Sequence, residues 1–312
     1  MKTQFKTLES TADNLPISMA AILPDGPAEP ACILQLVHGM CEHKERYFPF
    51  MEYMASHGFA CFIHDHRGHG ASVKDSGDLG YFYEGGMEGM IEDIRSVTLE
   101  ARKAFPGIPV ILFGHSMGSM AVRSFAKRYD NMISALIVCG SPSYNPASGI
   151  GKVLANLFRK LCGDRYRPRL IQKISFGSFG RKFRESGSPN AWICSDPEIV
   201  EAYDNDPLCS FQFTADGFVN LFSLMQDAYS ESGWKVSNPD MPVLFVSGTE
   251  DPCLINPCKF KDAVDRVSAA GYRNVHSRLY PGMRHEILNE TGKEQVWKDL
   301  LDFCTTGIPA TK

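Results

Sequence analysis

The sequence predicts an α/β fold with a mostly parallel central sheet, helices on both faces of that sheet, and an inserted helical cap. Short apolar runs alternate along the chain with amphipathic helical patterns. Such runs are typical of strands that helices bury on both sides. One interval, between Cys139 and Val243, is far longer than the connection between two neighbouring parallel strands needs to be. Its apolar residues have the spacing of helices rather than of strands.

The strands are predicted from the apolar runs. The first 30 residues are polar and are expected to form a hairpin or two short strands, broken at Pro24 and Gly26. Six apolar runs then predict buried parallel strands at residues 32–37, 59–63, 110–113, 135–139, 243–246 and 277–280.

The helices are predicted from apolar residues that recur at i, i+3, i+4 and i+7. Tyr47, Phe50, Met51 and Met54 follow this spacing, and Gly58 supplies a stop. The same periodicity predicts helices around residues 87–94, 117–129 and 297–304. Strands that alternate with such helices form βαβ units.

The long interval predicts a cap. Apolar residues with helical spacing occur early in it, and they are Val153, Leu154, Leu157, Phe158 and Leu161. We predict that residues 144–233 form a helical cap over the carboxyl edge of the sheet. Residues 1–143 and 234–312 would then form the core.

Composition limits the class of protein. The chain has 312 residues, of which 44% are hydrophobic and 22% charged, with a formal net charge of −4. These values are typical of an ordinary globular protein and argue against a disordered, collagen-like or coiled-coil chain. The charge gives no reason to expect a nucleic-acid partner.

The sequence predicts a cytoplasmic location. The first 14 residues lack the apolar core of a signal peptide, and no run of about 18 apolar residues predicts a membrane span. The ten cysteines include no Cys-x-x-Cys pair and lie mostly in apolar stretches. They are expected to be reduced thiols that act as small hydrophobic residues.

A candidate nucleophile lies between a predicted strand and a predicted helix. Residues 114–118 read Gly-His-Ser-Met-Gly, which is the G-x-S-x-G pattern of a nucleophile elbow in its required context. Small residues beside the serine let the strand and the helix approach each other. We therefore predict that Ser116 is a catalytic nucleophile.

A serine hydroxyl needs a general base, and the base needs an orienting acid. In this architecture the acid and the histidine follow the serine, each in a loop after a later strand. Asp251 is the predicted acid, and Pro252 keeps it out of a helix. Its neighbour Glu250 is a weaker alternative. His285 is the predicted base.

Two backbone amides are predicted to form the oxyanion hole. One is the N–H of Met117, the residue after the nucleophile, and the other is the N–H of Met40 in the loop after residues 32–37. Gly39 would permit the turn that aims this second amide. His38 precedes the nucleophile in the chain, so we expect it to brace the loop rather than act as the base.

These motifs resemble one branch of the α/β-hydrolases. Three motifs are similar to segments of monoacylglycerol lipases and lysophospholipases, a branch also labelled serine aminopeptidase-like. They are His38-Gly39-Met40-x-Glu42-His43-x-x-Arg46-Tyr47, Asp65-His66-Arg67-Gly68-His69-Gly70-x-Ser72 and the nucleophile elbow. Ser247-Gly248-x-x-Asp251-Pro252 and His285-Glu286 complete the set. The likeness covers about residues 30–140 and 240–305.

The resemblance implies a serine hydrolase that acts on small acyl esters without a metal or an organic cofactor. The predicted function is therefore cleavage of carboxylic esters of lipid-like alcohols, monoacylglycerol or lysophospholipid, through an acyl-serine intermediate. An aminopeptidase or amidase on the same scaffold is one alternative. A catalytically silent ligand-binding relative is another, although the chain has kept all three triad residues. A dehalogenase is excluded because it would need a carboxylate at position 116.

Substrate contacts are predicted from the elbow and from the apolar end of the cap. The predicted binding residues are Gly39, His115, Phe211, Phe218 and Leu221. His64, Asp65, His66 and His69 resemble a metal cluster, but their place directly after a strand favours a structural role. No metal is predicted.

The cap is strongly basic. Residues 152–184 carry ten Lys and Arg against a single acidic residue, Asp164. This excess is either a solvated surface or a rim that meets anionic lipid surfaces or phosphate-bearing substrates. We hypothesise transient contact with an anionic membrane through this cap. The oligomeric state is not predicted.

Overall fold

In the computed structural model, which describes residues 1–26 and 29–306, the strands form one eight-stranded sheet in the order β1-β2-β4-β3-β5-β6-β7-β8. The strands are β1 (Lys2–Glu9), β2 (Pro16–Leu23), β3 (Cys32–Val37), β4 (Phe59–His64), β5 (Val110–His115), β6 (Ala135–Cys139), β7 (Val243–Gly248) and β8 (Val275–Tyr280).

The predicted hairpin and the six predicted parallel strands are all confirmed. β1 and β2 pair antiparallel, and β2 joins β4 antiparallel. Every other pairing, from β4 through β3, β5, β6 and β7 to β8, is parallel. The carboxyl ends of six strands therefore meet at one edge, where ligands bind in open α/β sheets.

Five helices cover the two faces of the sheet, and their apolar sides form two separate cores. α1 (Phe48–Ser56) and α9 (Lys293–Thr306) pack on one face. The other face is covered by α2 (Gly86–Ala104), α3 (Met117–Tyr129) and α8 (Pro257–Ala269). The predicted mostly parallel α/β fold is confirmed.

The segment between β6 and β7 is helical in the structure. It contains α4 (Ser148–Cys162), α5 (Arg169–Phe176), a 3₁₀ helix (Phe179–Ser186), α6 (Pro197–Asn205) and α7 (Ala215–Tyr229). α4 packs against α7, and α7 packs in turn against α2 and α3. The division into a core and a cap at residues 144 and 233 stays a prediction, and residues 307–312 lie outside the described part of the chain.

Eight of the ten cysteines are buried, and only Cys162 and Cys258 are exposed. Burial raises the pKa of the buried Cys139 thiol, so this side chain stays a neutral hydrophobe. Across the residues that the structure describes, none of the helices is both long and apolar enough to cross a membrane.

Candidate active site

Ser116 lies on a strained turn between β5 and α3. Its backbone has φ 53° and ψ −116°, a conformation that residues other than glycine rarely adopt. The Ser116 N–H donates to the Cys139 carbonyl at 2.9 Å, which ties the turn to the end of β6. The turn places Ser116, which is half-buried, at the carboxyl edge of the sheet.

The two glycines of the elbow are required by close backbone contacts. A Cβ atom on Gly118 would lie 2.2 Å from the Val37 carbonyl oxygen and 2.4 Å from that of His38. A Cβ atom on Gly114 would lie 2.4 Å from the carbonyl oxygen of Gly118. Because backbone atoms cannot move aside as side chains do, only glycine fits here.

The predicted acid and base are in contact. His285 Nδ1 lies 2.9 Å from Asp251 Oδ2, and both side chains are buried. Ser247 Oγ and the Cys253 N–H also donate to the Asp251 carboxylate, at 3.0 and 2.8 Å. Three partners therefore fix this carboxylate. Glu250 instead forms an ion pair with Lys182 and does not face His285.

The loop that carries Met40 lies beside the nucleophile. A Cβ atom on Gly39 would be 3.1 Å from the Cβ of Ser116, so the two backbones almost touch. Met40 and Met117 both line the cavity onto which Ser116 opens. His38 is fully buried, and its Nε2 accepts the His66 N–H at 2.9 Å, consistent with its predicted bracing role.

Ser116 and His285 line the same cavity, but no hydrogen bond joins the Ser116 hydroxyl to His285 within the described residues. Such bonds are often long without a substrate and tighten when one binds. With Nδ1 facing Asp251, the free Nε2 of His285 is the nitrogen available to a substrate or to the serine.

Beneath the site, Glu42 joins three parts of it. Its Oε1 accepts from the Gly39 N–H and from the Tyr47 hydroxyl, and it lies 3.3 Å from His115 Nδ1. Burial alone would raise the pKa of Glu42, but the hydrogen bond with His115 and the charge of Arg46 lower it below its ordinary value. Burial likewise opposes protonation of His115, yet Glu42 raises its pKa.

Arg46 connects this carboxylate to the loop of the base. Its guanidinium binds Glu286 through two hydrogen bonds, at 2.6 and 2.7 Å, and Glu42 at 2.9 Å. Glu286 follows His285 directly. The quoted motifs contain Glu42, Arg46 and Glu286, but no role was predicted for these residues. The available sequence signal was an acidic residue three positions after Gly39.

The cavity has a volume of about 750 Å³, within the usual size of small-molecule sites. Of the predicted binding residues, Gly39, His115, Phe211 and Leu221 line it. Phe218 does not. It is fully buried behind the wall, with its ring 6.0 Å from that of Phe213, so it supports the cavity without facing it.

Trp192 lies directly beside the predicted base, His285, and was not predicted as a site residue. The centre of its ring is 5.0 Å from that of His285, and Trp192 lines the same cavity. Nothing in the local pattern around Trp192 indicates this contact, because residues 187–196 have no helical or strand periodicity.

Two groups of side chains in the described residues bring possible metal-ligand atoms within 4.8 Å of one another. One comprises His43, Asp206 and Cys209, and the other comprises Asp251, Cys253 and His285. The second contains the predicted acid, Asp251, and the predicted base, His285. In the segment after β4, Asp65 binds the Lys44 ammonium at 2.7 Å and His66 Nε2 lies 2.9 Å from the His38 carbonyl. These contacts are consistent with a structural role.

Comparison with known proteins assigns the family. A family model described as "Serine aminopeptidase, S33" matches residues 28–292. A monoacylglycerol lipase from Mycolicibacterium smegmatis is 28% identical over 282 residues, covering 90% of each chain. Phospholipase YtpA from Bacillus subtilis is 24% identical over 271 residues, covering 86% of this chain and 93% of that protein.

The fold has close structural counterparts. A crystal structure of a thermostable carboxyl esterase from Bacillus coagulans in complex with glycerol superposes with a TM-score of 0.90 at 26% identity, covering 99% of both chains. The family model spans the strands from β3 to β8 and the helical segment between β6 and β7. The chain therefore belongs to the serine aminopeptidase S33 family and is an α/β-hydrolase of the monoglyceride lipase branch.

Proposed function

We propose that this hydrolase is a serine esterase that cleaves carboxylic esters of monoacyl lipids, either monoacylglycerol or lysophospholipid. One observation carries the proposal: a serine on a strained elbow and a histidine held by a buried aspartate open onto one large cavity with apolar walls. Relatives described as a monoacylglycerol lipase and a phospholipase support the same substrate class.

The reaction follows from the roles of the three side chains. His285 Nε2 takes the Ser116 proton as the serine oxygen bonds to the ester carbonyl carbon. The Met40 and Met117 amides donate to the oxyanion that forms. The C–O bond to the alcohol then breaks, and His285 returns the proton to the leaving alcohol. A water molecule cleaves the acyl-Ser116 ester by the same steps.

Asp251 acts through His285. Its carboxylate keeps the proton on Nδ1, so that Nε2 is free to accept, and its charge stabilises the imidazolium. Glu42, Arg46 and Glu286 are positioning residues. Their hydrogen bonds hold the loop of the oxyanion hole and the loop of the base together.

The cavity wall suits an acyl chain. Its apolar side is formed by residues of α3, α5 and α7 and by the segment before α7, and these include Met120, Phe176, Phe211, Leu221, Phe222 and Met225. Burying an acyl chain against such a wall gains about 0.8 kcal/mol for each CH₂ group. Cleavage should therefore favour acyl chains that fill the cavity.

Labelling with a fluorophosphonate probe tests the nucleophile. We expect the wild-type protein and Ser175→Ala, which changes another serine of the same cavity, to be labelled equally. Ser116→Ala should not be labelled and should lose several orders of magnitude in kcat with a nitrophenyl ester. Labelling of Ser116→Ala, or the absence of an ester burst from the wild type, would refute the mechanism and favour a silent binding protein.

A substrate panel tests the ester class against an amidase. An aminopeptidase needs carboxylates that hold the substrate's amine. Here the cavity carboxylates Glu42 and Glu286 are already bound by Arg46. The panel comprises monoacylglycerols, lysophospholipids, short esters and aminoacyl amides. Faster turnover of the amides than of every ester would make the proposed substrate class wrong.

We also propose that the cap contacts anionic membranes. An apolar stripe is formed by exposed residues on α4 and α5, and its members are Ile150, Val153, Leu157, Leu161, Leu170 and Ile174. Exposed apolar surface that exceeds scattered single residues marks an interaction site. Lys152, Lys160 and Arg169 lie on the same two helices, so an anionic bilayer is the expected partner of the stripe.

Vesicle co-sedimentation tests the stripe. We expect stronger binding to anionic than to neutral vesicles, and loss of binding in Ile150→Ser/Leu161→Ser/Ile174→Ser. Leu99→Ser, which removes an exposed leucine from α2, is the matched control and should bind as the wild type does. Equal binding to both vesicle types, or a concentration-dependent dimer that needs the stripe, would overturn the proposal.

A further inference from the structure

Three positively charged side chains line the cavity that contains Ser116. Lys173 comes from α5, and Arg181 and Arg184 come from the 3₁₀ helix Phe179–Ser186. All three are exposed at the mouth of the cavity. The apolar residues of α3 and α7 line other parts of the wall, so the cavity has an apolar part and a cationic part.

These three cations are not neutralised by protein carboxylates. Among residues 1–26 and 29–306, none of them has an acidic oxygen within 4.0 Å. Other cations of the same segment do have such partners: Arg159 lies 3.6 Å from Asp216, and Lys182 pairs with Glu250. The positive charge is therefore available to a ligand in the cavity.

The helix that carries the two arginines is fixed to the catalytic loops. Lys182 pairs with Glu250, the neighbour of Asp251. The Arg284 guanidinium lies 4.0 Å from the centre of the Phe183 ring, and Arg284 precedes His285. The residues between Arg181 and Arg184 thus anchor this helix to the loops of the acid and of the base. A subsite on it is held in place before the ligand arrives.

Aromatic contacts place this helix close to the base. The ring of Trp192 lies 5.0 Å from that of His285, and the ring of Phe179 lies 5.0 Å from that of Trp192. Phe179 is the first residue of the 3₁₀ helix, two positions before Arg181. The cationic part of the cavity therefore begins on the Trp192 side of His285.

We propose that Lys173, Arg181 and Arg184 form an anion subsite that binds the phosphate of a monoacyl phospholipid head group. This inference rests on the proposed ester hydrolysis at Ser116 and selects, within it, phosphate-bearing esters over neutral monoacylglycerols. Arginine guanidinium groups match phosphate oxygens in geometry as well as in charge. The apolar part takes the acyl chain, the ester lies at Ser116, and the phosphate lies on the alcohol side.

The test compares two substrates that differ only in the phosphate: a short-chain monoacylglycerol and the same molecule phosphorylated on its glycerol. Both are used below their micelle concentrations, so that no lipid surface forms. We expect the wild type to prefer the phosphorylated substrate in kcat/KM. In Arg181→Gln/Arg184→Gln this preference should fall about tenfold, as two exposed ion pairs are lost. Activity on the neutral substrate should stay within about twofold.

The matched control is Lys160→Gln/Arg169→Gln, which removes two exposed cap cations that do not line the cavity. It should keep the wild-type preference. An equal loss in the control, or no wild-type preference for the phosphorylated substrate, would overturn the inference. In either case, continued cleavage of the neutral ester would still support the proposed esterase function. Failure of both substrates and of nitrophenyl esters would instead refute that function.

A second measurement separates a lipid head group from free phosphate. Glycerol phosphate should inhibit competitively, and inorganic phosphate at the same concentration should inhibit less, because only the former also occupies the alcohol side. Raising the ionic strength should weaken both effects. Stronger inhibition by inorganic phosphate than by glycerol phosphate would indicate a free-anion site and would contradict a head-group subsite.

Discussion

Asp251 and Glu250 are adjacent acids with different surroundings. Asp251 is buried against His285, whereas Glu250 is half-buried and paired with Lys182. We predict that Asp251→Asn lowers kcat about 10⁴-fold, because an amide cannot hold the Nδ1 proton and the imidazole takes the wrong tautomer. Ester hydrolysis by the purified variant at saturating substrate measures this loss.

Glu250→Gln is the control for Asp251→Asn. It removes the same charge one residue away and should keep kcat within about threefold of the wild type. If Glu250→Gln lost as much activity as Asp251→Asn, the assignment of Asp251 as the acid would be wrong. Thermal unfolding of both variants shows whether either loss reflects unfolding.

The candidate catalytic residues were predictable because their signals are local. Gly114 and Gly118 flank Ser116, and the acid and the base each follow a recognisable strand. The link from Arg46 to Glu286 was not predictable, because these residues are 240 positions apart and each is an ordinary charged residue in its own segment. Only the parallel pairing of distant strands brings them together.

At the scale of elements, α7 begins at a buried N-cap. Thr214 Oγ1 accepts the Gly217 N–H at 3.0 Å and lies 2.9 Å from the Gly80 carbonyl oxygen, to which it donates. One hydroxyl thus caps the helix and ties it to the loop before α2. We predict that Thr214→Ala lowers the free energy of unfolding by about 1–2 kcal/mol. Urea unfolding followed by circular dichroism measures this loss.

Thr214→Ser keeps the hydroxyl and loses only a methyl group, so it should retain most of the stability. The two variants separate the cap from packing at the same position. An equal loss in Thr214→Ser would mean that the methyl group, and not the two hydrogen bonds, stabilises the start of α7.

The helical segment shows where periodicity stops being informative. The residues of α4 with helical spacing divide into two sets: Leu154 and Phe158 pack inward, whereas Val153, Leu157 and Leu161 are exposed. The sequence pattern is continuous across both sets, because the same types of apolar residue occur at the buried and at the exposed positions. Only the packing against α7 distinguishes them.

At the scale of the molecule, the parallel sheet assembles the site. Gly39, Ser116, Asp251 and His285 follow β3, β5, β7 and β8, and all four lie at the carboxyl edge. The sequence predicted this convergence because six strands could be located and parallel strands end at a common edge. The sequence did not predict how the helical segment between β6 and β7 contacts this edge, since that depends on aromatic contacts such as Trp192 with His285.

Four fully buried histidines lie in the segments that follow β3 and β4 or at the end of β4, and they make the whole molecule sensitive to acid. Burial lowers the pKa of His38 and of His66 well below the ordinary value of 6.5, and lowers that of His64 to about 3 and that of His69 to about 4. Below pH 6.5 the unfolded chain therefore binds protons that the folded chain does not. The free energy of unfolding should fall as the pH falls, by about 1.4 kcal/mol per pH unit for each such histidine.

His64→Leu tests this linkage at one position. Neither ring nitrogen of His64 has a hydrogen-bond partner among the described residues, so leucine should cost little at pH 7, where the histidine is neutral in both states. From pH 6.5 down to about pH 5 the variant should lose stability less steeply than the wild type, by about 1.4 kcal/mol per pH unit. Urea titrations at each pH measure the two slopes. An unchanged slope in His64→Leu would show that His64 takes up its proton without unfolding.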